Sequence, residues 1–112
     1  MELEYCEIQE DAYDTYNSRR IVFEYTLENT FYSLLGEYDM RPQHNLAERI
    51  SIYIAFVNVL IDKHENFDFM KNEIKELIGK VNFDELKEEL GEKNYILFKK
   101  DLERAKTYMG IA

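Results

Sequence analysis

The sequence predicts an all-α protein, a compact bundle of four main helices plus one short helix, and three observations carry the prediction. The stretch Ile50 to Ile61 contains only two polar residues, Ser51 and Asn58. At about 100° per residue, Ser51, Ala55, Asn58 and Asp62 fall in one narrow strip, and the rest of the circumference is apolar. A helix that is apolar nearly all round has to be covered nearly all round, so this is the central helix. The second observation is a set of apolar stripes with three- and four-residue steps before and after it. The third is the scarcity of breakers, four Gly and one Pro in 112 residues, which suits long helices and disfavours a many-turned sheet protein.

From Ile8 a stripe runs through Ala12, Tyr16, Arg19, Phe23, Leu27, Thr30/Phe31 and Leu34. It predicts one long helix, or two joined near Asn17-Ser18, over about 7–35. Gly36 follows as a helix stop. A competing signal is present. Phe23 to Glu28 alternates apolar and polar residues, as does Leu3-Glu4-Tyr5, so an α+β fold with a small N-terminal hairpin is the alternative. The segment Glu37 to His44 is a connection, because Met40-Arg41-Pro42 resists helical geometry. Asn45, with Glu48 three residues on, has capping-box character and opens the central helix at about 46–64. Lys63 and His64 fall at its negative end. Asn66 or Asp68 caps the next helix, whose stripe is Met70, Ile74, Leu77/Ile78 and Val81. Asn82 repeats the cap with Glu85 and starts a short helix, 83–90, that stops at Gly91. Asn94 caps the last helix, with stripe Tyr95, Phe98, Leu102, Ala105 and Met109 ended by Gly110.

The length suits a single helical domain spanning 1–112. One cysteine, Cys6, excludes an internal disulfide, and the acidic start has no signal-peptide pattern. The longest apolar run is about half a membrane span. A cytoplasmic protein is expected, with no membrane partner. The net charge is −9 and the pI about 4.7, which argues against direct nucleic-acid binding. The acidity is concentrated: residues 1–40 hold ten acids against two arginines, whereas residues 93–112 hold two acids against five bases.

No catalytic, cofactor or metal motif stands above background. His44 and Glu48 sit one turn apart, but the other histidine, His64, lies about 30 Å further along the same helix at 1.5 Å per residue. Carboxylate pairs occur at Glu7/Glu10, Glu65/Asp68 and Glu73/Glu76. All-helical nucleotide pyrophosphohydrolases hold magnesium with such pairs, but here the Glu-x-x-Asp pair precedes the Glu-x-x-Glu pair, the reverse of their order. Cys6 lacks a neighbouring base, and no Gly-x-Ser-x-Gly elbow or phosphate loop is present.

What remains is an acid- and tyrosine-rich first third, holding six of the nine tyrosines. Tyrosine anchors interfaces and a carboxylate surround steers a basic partner. The leading expectation is therefore a non-enzymatic, acidic binding protein that inhibits or neutralises a basic partner, a nuclease toxin or a defence nuclease. The candidate contacts are Tyr5, Glu7, Glu10, Asp11, Tyr13 and Asp14. In size, helicity and acidity the chain is similar to immunity proteins and to phage-encoded DNA-mimicking inhibitors. The Tyr-Tyr-Pro element of colicin-DNase immunity proteins is absent, and no family is assigned. Two other readings compete. One is a magnesium-dependent nucleotide pyrophosphohydrolase built on Glu65/Asp68 and Glu73/Glu76. The other is a homo-oligomeric structural or regulatory module pairing the Phe23/Leu27/Phe31 and Phe98/Leu102/Met109 stripes between chains.

Overall fold

The computed structural model describes residues 4–39 and 45–111. It is all-α: α1 (Tyr5–Thr15), a π-helical segment (Tyr16–Val22), α2 (Leu27–Glu37), α3 (Leu46–Asp62), α4 (Asp68–Lys80) and α5 (Phe83–Met109). No strand occurs among the described residues. The hairpin alternative therefore fails where it is described: Tyr5 opens α1, and Leu27 and Glu28 open α2. Leu3, the Met40-Arg41-Pro42 connection and His44 lie outside the described residues.

The helix α3 is the axis of the molecule. Every residue from Ile50 to Ile61 is buried, Ser51 and Asn58 included. Because its apolar surface runs nearly all round, one neighbour is not enough. The helices α1, α4 and α5 all pack on it, and α2 reaches it through Phe31, whose ring lies edge-on to Tyr53 at 4.6 Å and beside Phe56 at 5.2 Å. The last-helix stripe is used within the chain, with Phe98, Leu102, Ala105 and Met109 buried against the same core. That removes one of the two stripes from any pairing between copies.

Local chemistry explains the helix starts. Asn45 Oδ1 accepts from the backbone N–H groups of Ala47 and Glu48. Asn82 Oδ1 does the same for Asp84 and Glu85. Each asparagine satisfies donors that have no partner inside the helix. Thr26, which the apolar stripe conceals, caps α2 by accepting from the Asn29 N–H at 3.1 Å. Three expected boundaries move. Gly36 lies inside α2, one residue before its end. Asn66 Oδ1 accepts from the Asp68 N–H at 2.7 Å, outside the helix it supports. Asn94 is no cap, since its amide donates to the Leu90 carbonyl at 3.0 Å within α5. The break sits at Gly91, where φ 78 and ψ 160 kink α5 between the short helix and the long one. Only glycine takes that geometry without steric cost.

The largest departure is at residues 16–26. The join between the first two helices is not a turn at Asn17-Ser18 but a widened helix that runs past it. The Phe23 N–H bonds the Ser18 carbonyl at 3.1 Å, five residues back, and Glu24 adopts a positive φ of 57. Uninterrupted α geometry would hold both Arg19 and Phe23 on the buried stripe, and burying an unpaired guanidinium is costly. The wider turns rotate the chain. Arg19 becomes half-buried with its guanidinium 5.5 Å from the Phe23 ring centre, and Phe23 faces outward.

Candidate functional site

The polar strip of α3 forms the floor of a cleft of about 630 Å³ between α1, α3 and α5. Asn58 ties the floor together. Its amide donates to the Ile54 carbonyl at 2.9 Å and to the Asp101 carbonyl of α5 at 3.0 Å, while its Oδ1 accepts from Arg104 at 3.4 Å. Arg104 also donates to Asp62 at 2.6 Å. The Tyr13 hydroxyl donates to the other oxygen of Asp62. Burial alone would raise the Asp62 pKa, but the hydrogen bonds from Arg104 and Tyr13 outweigh it and hold the carboxyl below its usual range. The bond to Asp62, aided by burial, pushes the Tyr13 hydroxyl up to about 12. Around this floor stand Glu10 and Asp14 from α1 and Asp101 from α5. Four carboxylates against one guanidinium give the cleft a negative field, which concentrates cations.

The six sequence-derived contact residues separate into two groups. Tyr5 and Asp11 belong to the fold. Tyr5 is fully buried, its ring 5.7 Å from that of Phe98 and its hydroxyl donating to Asp101 at 2.7 Å. It presents no surface to a partner, which corrects its place among the contacts. Asp11 is half-buried and accepts the Tyr38 hydroxyl at 2.5 Å. The other four, Glu7, Glu10, Tyr13 and Asp14, are exposed on α1. Glu10, Tyr13 and Asp14 line the cleft. Glu7, Glu10 and Asp14 form no ion pair among the described residues.

Much of the tyrosine and acid content therefore serves the interior. Five hydroxyls donate to carboxylates on other elements: Tyr5 to Asp101, Tyr13 to Asp62, Tyr16 to Glu65, Tyr38 to Asp11 and Tyr53 to Glu73. Except for Tyr13, which is exposed at the cleft, each ring packs toward the core while its hydroxyl reaches an acid nearer the surface, the division of labour to which tyrosine is suited. Glu65 also accepts Arg20 at 2.9 Å. That bond, supported by the Tyr16 hydroxyl, holds the Glu65 carboxyl below its usual range against the opposing effect of burial.

Sequence reading missed an exposed apolar cluster. Ile21, Val22 and Phe23 are 60%, 70% and 59% exposed. Glu10, Tyr13, Asn17 and Ile21, with Asp14 and Val22 beside them, recur at three- to four-residue steps along the continuous α1–π rod and are all exposed. Glu10, Tyr13 and Asp14 share one side of α1, and the aliphatics follow on the exposed side of the π segment. The aliphatics thus extend the acidic face in the direction of α2. The signal that points to them is the β-branched pair Ile21-Val22, which lies off the apolar stripe.

The carboxylates proposed for magnesium do not converge. Glu65 holds Arg20 and Tyr16, Asp68 holds Lys71 at 2.8 Å, Glu73 pairs with Arg49 at 3.7 Å and accepts Tyr53, and Glu76 holds Lys80 at 2.8 Å. Among the described residues no group of three His, Cys, Asp or Glu side chains is placed to hold a metal ion. Cys6 is exposed at the cleft rim. No described helix is long and apolar enough to cross a membrane. Compared with known protein families, curated proteins and solved structures, the chain matches none.

Proposed function

We propose that this chain is a small acidic binding protein that inhibits or neutralises a basic protein partner, a nuclease being the class its charge fits best. The reading rests on one observation. The exposed side of the α1–π rod combines carboxylates that have no cationic partner among the described residues, Glu7, Glu10 and Asp14, with two aliphatics left more than half exposed, Ile21 and Val22. The two parts have different physical roles. Carboxylates steer a basic partner and speed encounter, an effect that salt screens. Apolar side chains that lose water on contact supply affinity that salt does not remove. A nuclease cleft built to hold phosphates offers the matching cationic surface. The blocker needs no chemistry of its own.

The test is a triple variant, Glu7→Lys, Glu10→Lys and Asp14→Lys, beside the parent. All three positions are exposed, so helical circular dichroism stays unchanged. Association with the basic partner and its salt dependence fall together in the variant. Equal association of parent and variant at low salt would remove the acidic face from the interface. Self-association of the parent, lost on Ile21→Ser and Val22→Ser, would reassign the same face to a contact between copies.

A further inference from the structure

A second cavity lies across the molecule from the acidic cleft, between α2, α3 and α4. Its volume is about 150 Å³. Four aromatic rings line it: Phe31 and Tyr53 in the floor, both buried, and Tyr32 and Phe69 at the mouth, 62% and 37% exposed. Two carboxylates, Glu28 and Glu73, complete the wall. Glu73 is already committed to Arg49 and to the Tyr53 hydroxyl. Glu28 has no ion pair or hydrogen bond among the described residues.

We infer that this aromatic cavity binds a methylated organic ammonium group. Ring faces carry negative electrostatic potential, and a cation among several of them is attracted without any hydrogen bond; the Tyr53 ring already holds the Arg49 guanidinium at 5.5 Å, so the attraction rests on Phe31, Tyr32 and Phe69. Glu28 adds a full negative charge at the entrance. The lining also selects among cations. A primary ammonium brings three N–H donors, and apart from the carboxylates of Glu28 and Glu73 the lining is aromatic or thioether, so seating it among the rings would strand donors at a cost. A quaternary ammonium has no donor to strand. Size agrees as well, since a cavity of about 150 Å³ accepts a benzene-sized group, and tetramethylammonium, the isostere of neopentane, is of similar volume. The group could belong to a free small molecule or to a methylated lysine on a protein. The site shares no residue with the α1 surface, so the two proposals stand or fall separately.

The experiment is a titration of the whole chain followed by amide chemical shifts, with choline, with its uncharged isostere 3,3-dimethylbutan-1-ol, and with a short peptide carrying one trimethyllysine. Choline gives saturable shifts centred on Glu28, Tyr32 and Phe69, and the alcohol binds at least about tenfold more weakly, the scale of the summed cation–ring attraction. Tyr32→Ala and Phe69→Ala, both at the mouth, each weaken choline by about tenfold. Glu28→Gln, which alters no packing, weakens it by a smaller factor that shrinks with added salt. Tighter binding of the peptide than of choline identifies a protein source, and the reverse a free ammonium. Equal binding of choline and the alcohol would overturn the inference, because the cavity would then be merely apolar. An absence of saturable shifts with both choline and the peptide, or choline binding untouched by Tyr32→Ala, Phe69→Ala and Glu28→Gln alike, would overturn it too.

Discussion

Replacing Tyr5 with phenylalanine isolates what a single tyrosine–carboxylate clasp contributes. The ring stays in place against Phe98, so apolar burial is unchanged and no large cavity opens. What goes is a 2.7 Å hydrogen bond from a fully buried tyrosine to Asp101, linking residues 96 apart. A hydrogen bond to a charged group is worth about 1.5–3 kcal/mol. Asp101 is only half-buried and keeps the Gln9 amide at 2.8 Å, so the lower end applies, about 1.5–2 kcal/mol. Unfolding entropy near 2.1 cal/mol/K per residue gives about 0.24 kcal/mol/K for a chain this long, so Tm falls by about 6–8 °C. Differential scanning calorimetry reads this directly. The same substitution in an Asp101→Ala background costs at least about 1 kcal/mol less, because the acceptor is already gone. A Tm change under about 2 °C, or an equal cost in both backgrounds, would refute the reasoning.

Four further outcomes follow from the same contacts. Tyr13 and Tyr53 are pushed up to about 12, Tyr13 first by its bond to Asp62 and Tyr53 first by burial. Tyr5, Tyr16 and Tyr38 are raised as well, chiefly by burial. A raised folded pKa contributes stability below the ordinary value of 10 that is lost as pH rises through the folded value, so phenolate absorbance from these residues appears together with loss of helical circular dichroism between about pH 10 and 12. Full ionisation with the helices intact would contradict it. Asp62 and Glu65 are depressed, so their contribution is present above their ordinary values of 3.8 and 4.5 and fades as pH falls below them; urea midpoints at pH 7 and pH 3 measure this, and Asp62→Asn together with Glu65→Gln flattens the difference. Gly91→Ala costs about 1–3 kcal/mol from backbone strain alone, since φ is 78 with ψ 160 and no atom lies within 4 Å of the added Cβ. Gly36→Ala, inside α2 and equally unobstructed, stabilises by about 0.5–1 kcal/mol.

Residues whose role follows from local spacing were legible in the sequence. The run Ile50–Ile61 announces a covered helix, and all of it is buried. Asn45 and Asn82 announce caps because capping needs only residues two and three positions on. The α5 stripe locates Phe98, Leu102 and Met109 in the core for the same reason. What periodicity cannot carry is a change of period. The stripe through Arg19 and Phe23 assumes constant α geometry, and the π segment breaks that assumption, turning Phe23 outward. Spacing is equally silent about long-range polar partners. Tyr5 and Asp11 look like surface candidates beside Glu7 and Glu10, yet Asp101 and Tyr38 claim them from 96 and 27 residues away. Of the acid-rich start, the side without such partners among the described residues is left for a ligand.

The central claim is that this side of the rod, Glu7, Glu10 and Asp14 with Ile21 and Val22, is a partner-binding surface. The most direct measurement compares parent, triple-lysine variant and Ile21→Ser/Val22→Ser variant as bait in a lysate of the native source, at low salt and at about 0.5 M, where screening confines charge effects to a few Å. The predicted result is one basic protein held by the parent at low salt, weakened at high salt, lost by the lysine variant and reduced by the serine variant. Recovery of the same proteins by all three baits, or of none by the parent, would contradict the claim and leave the acids as a solvated helix face.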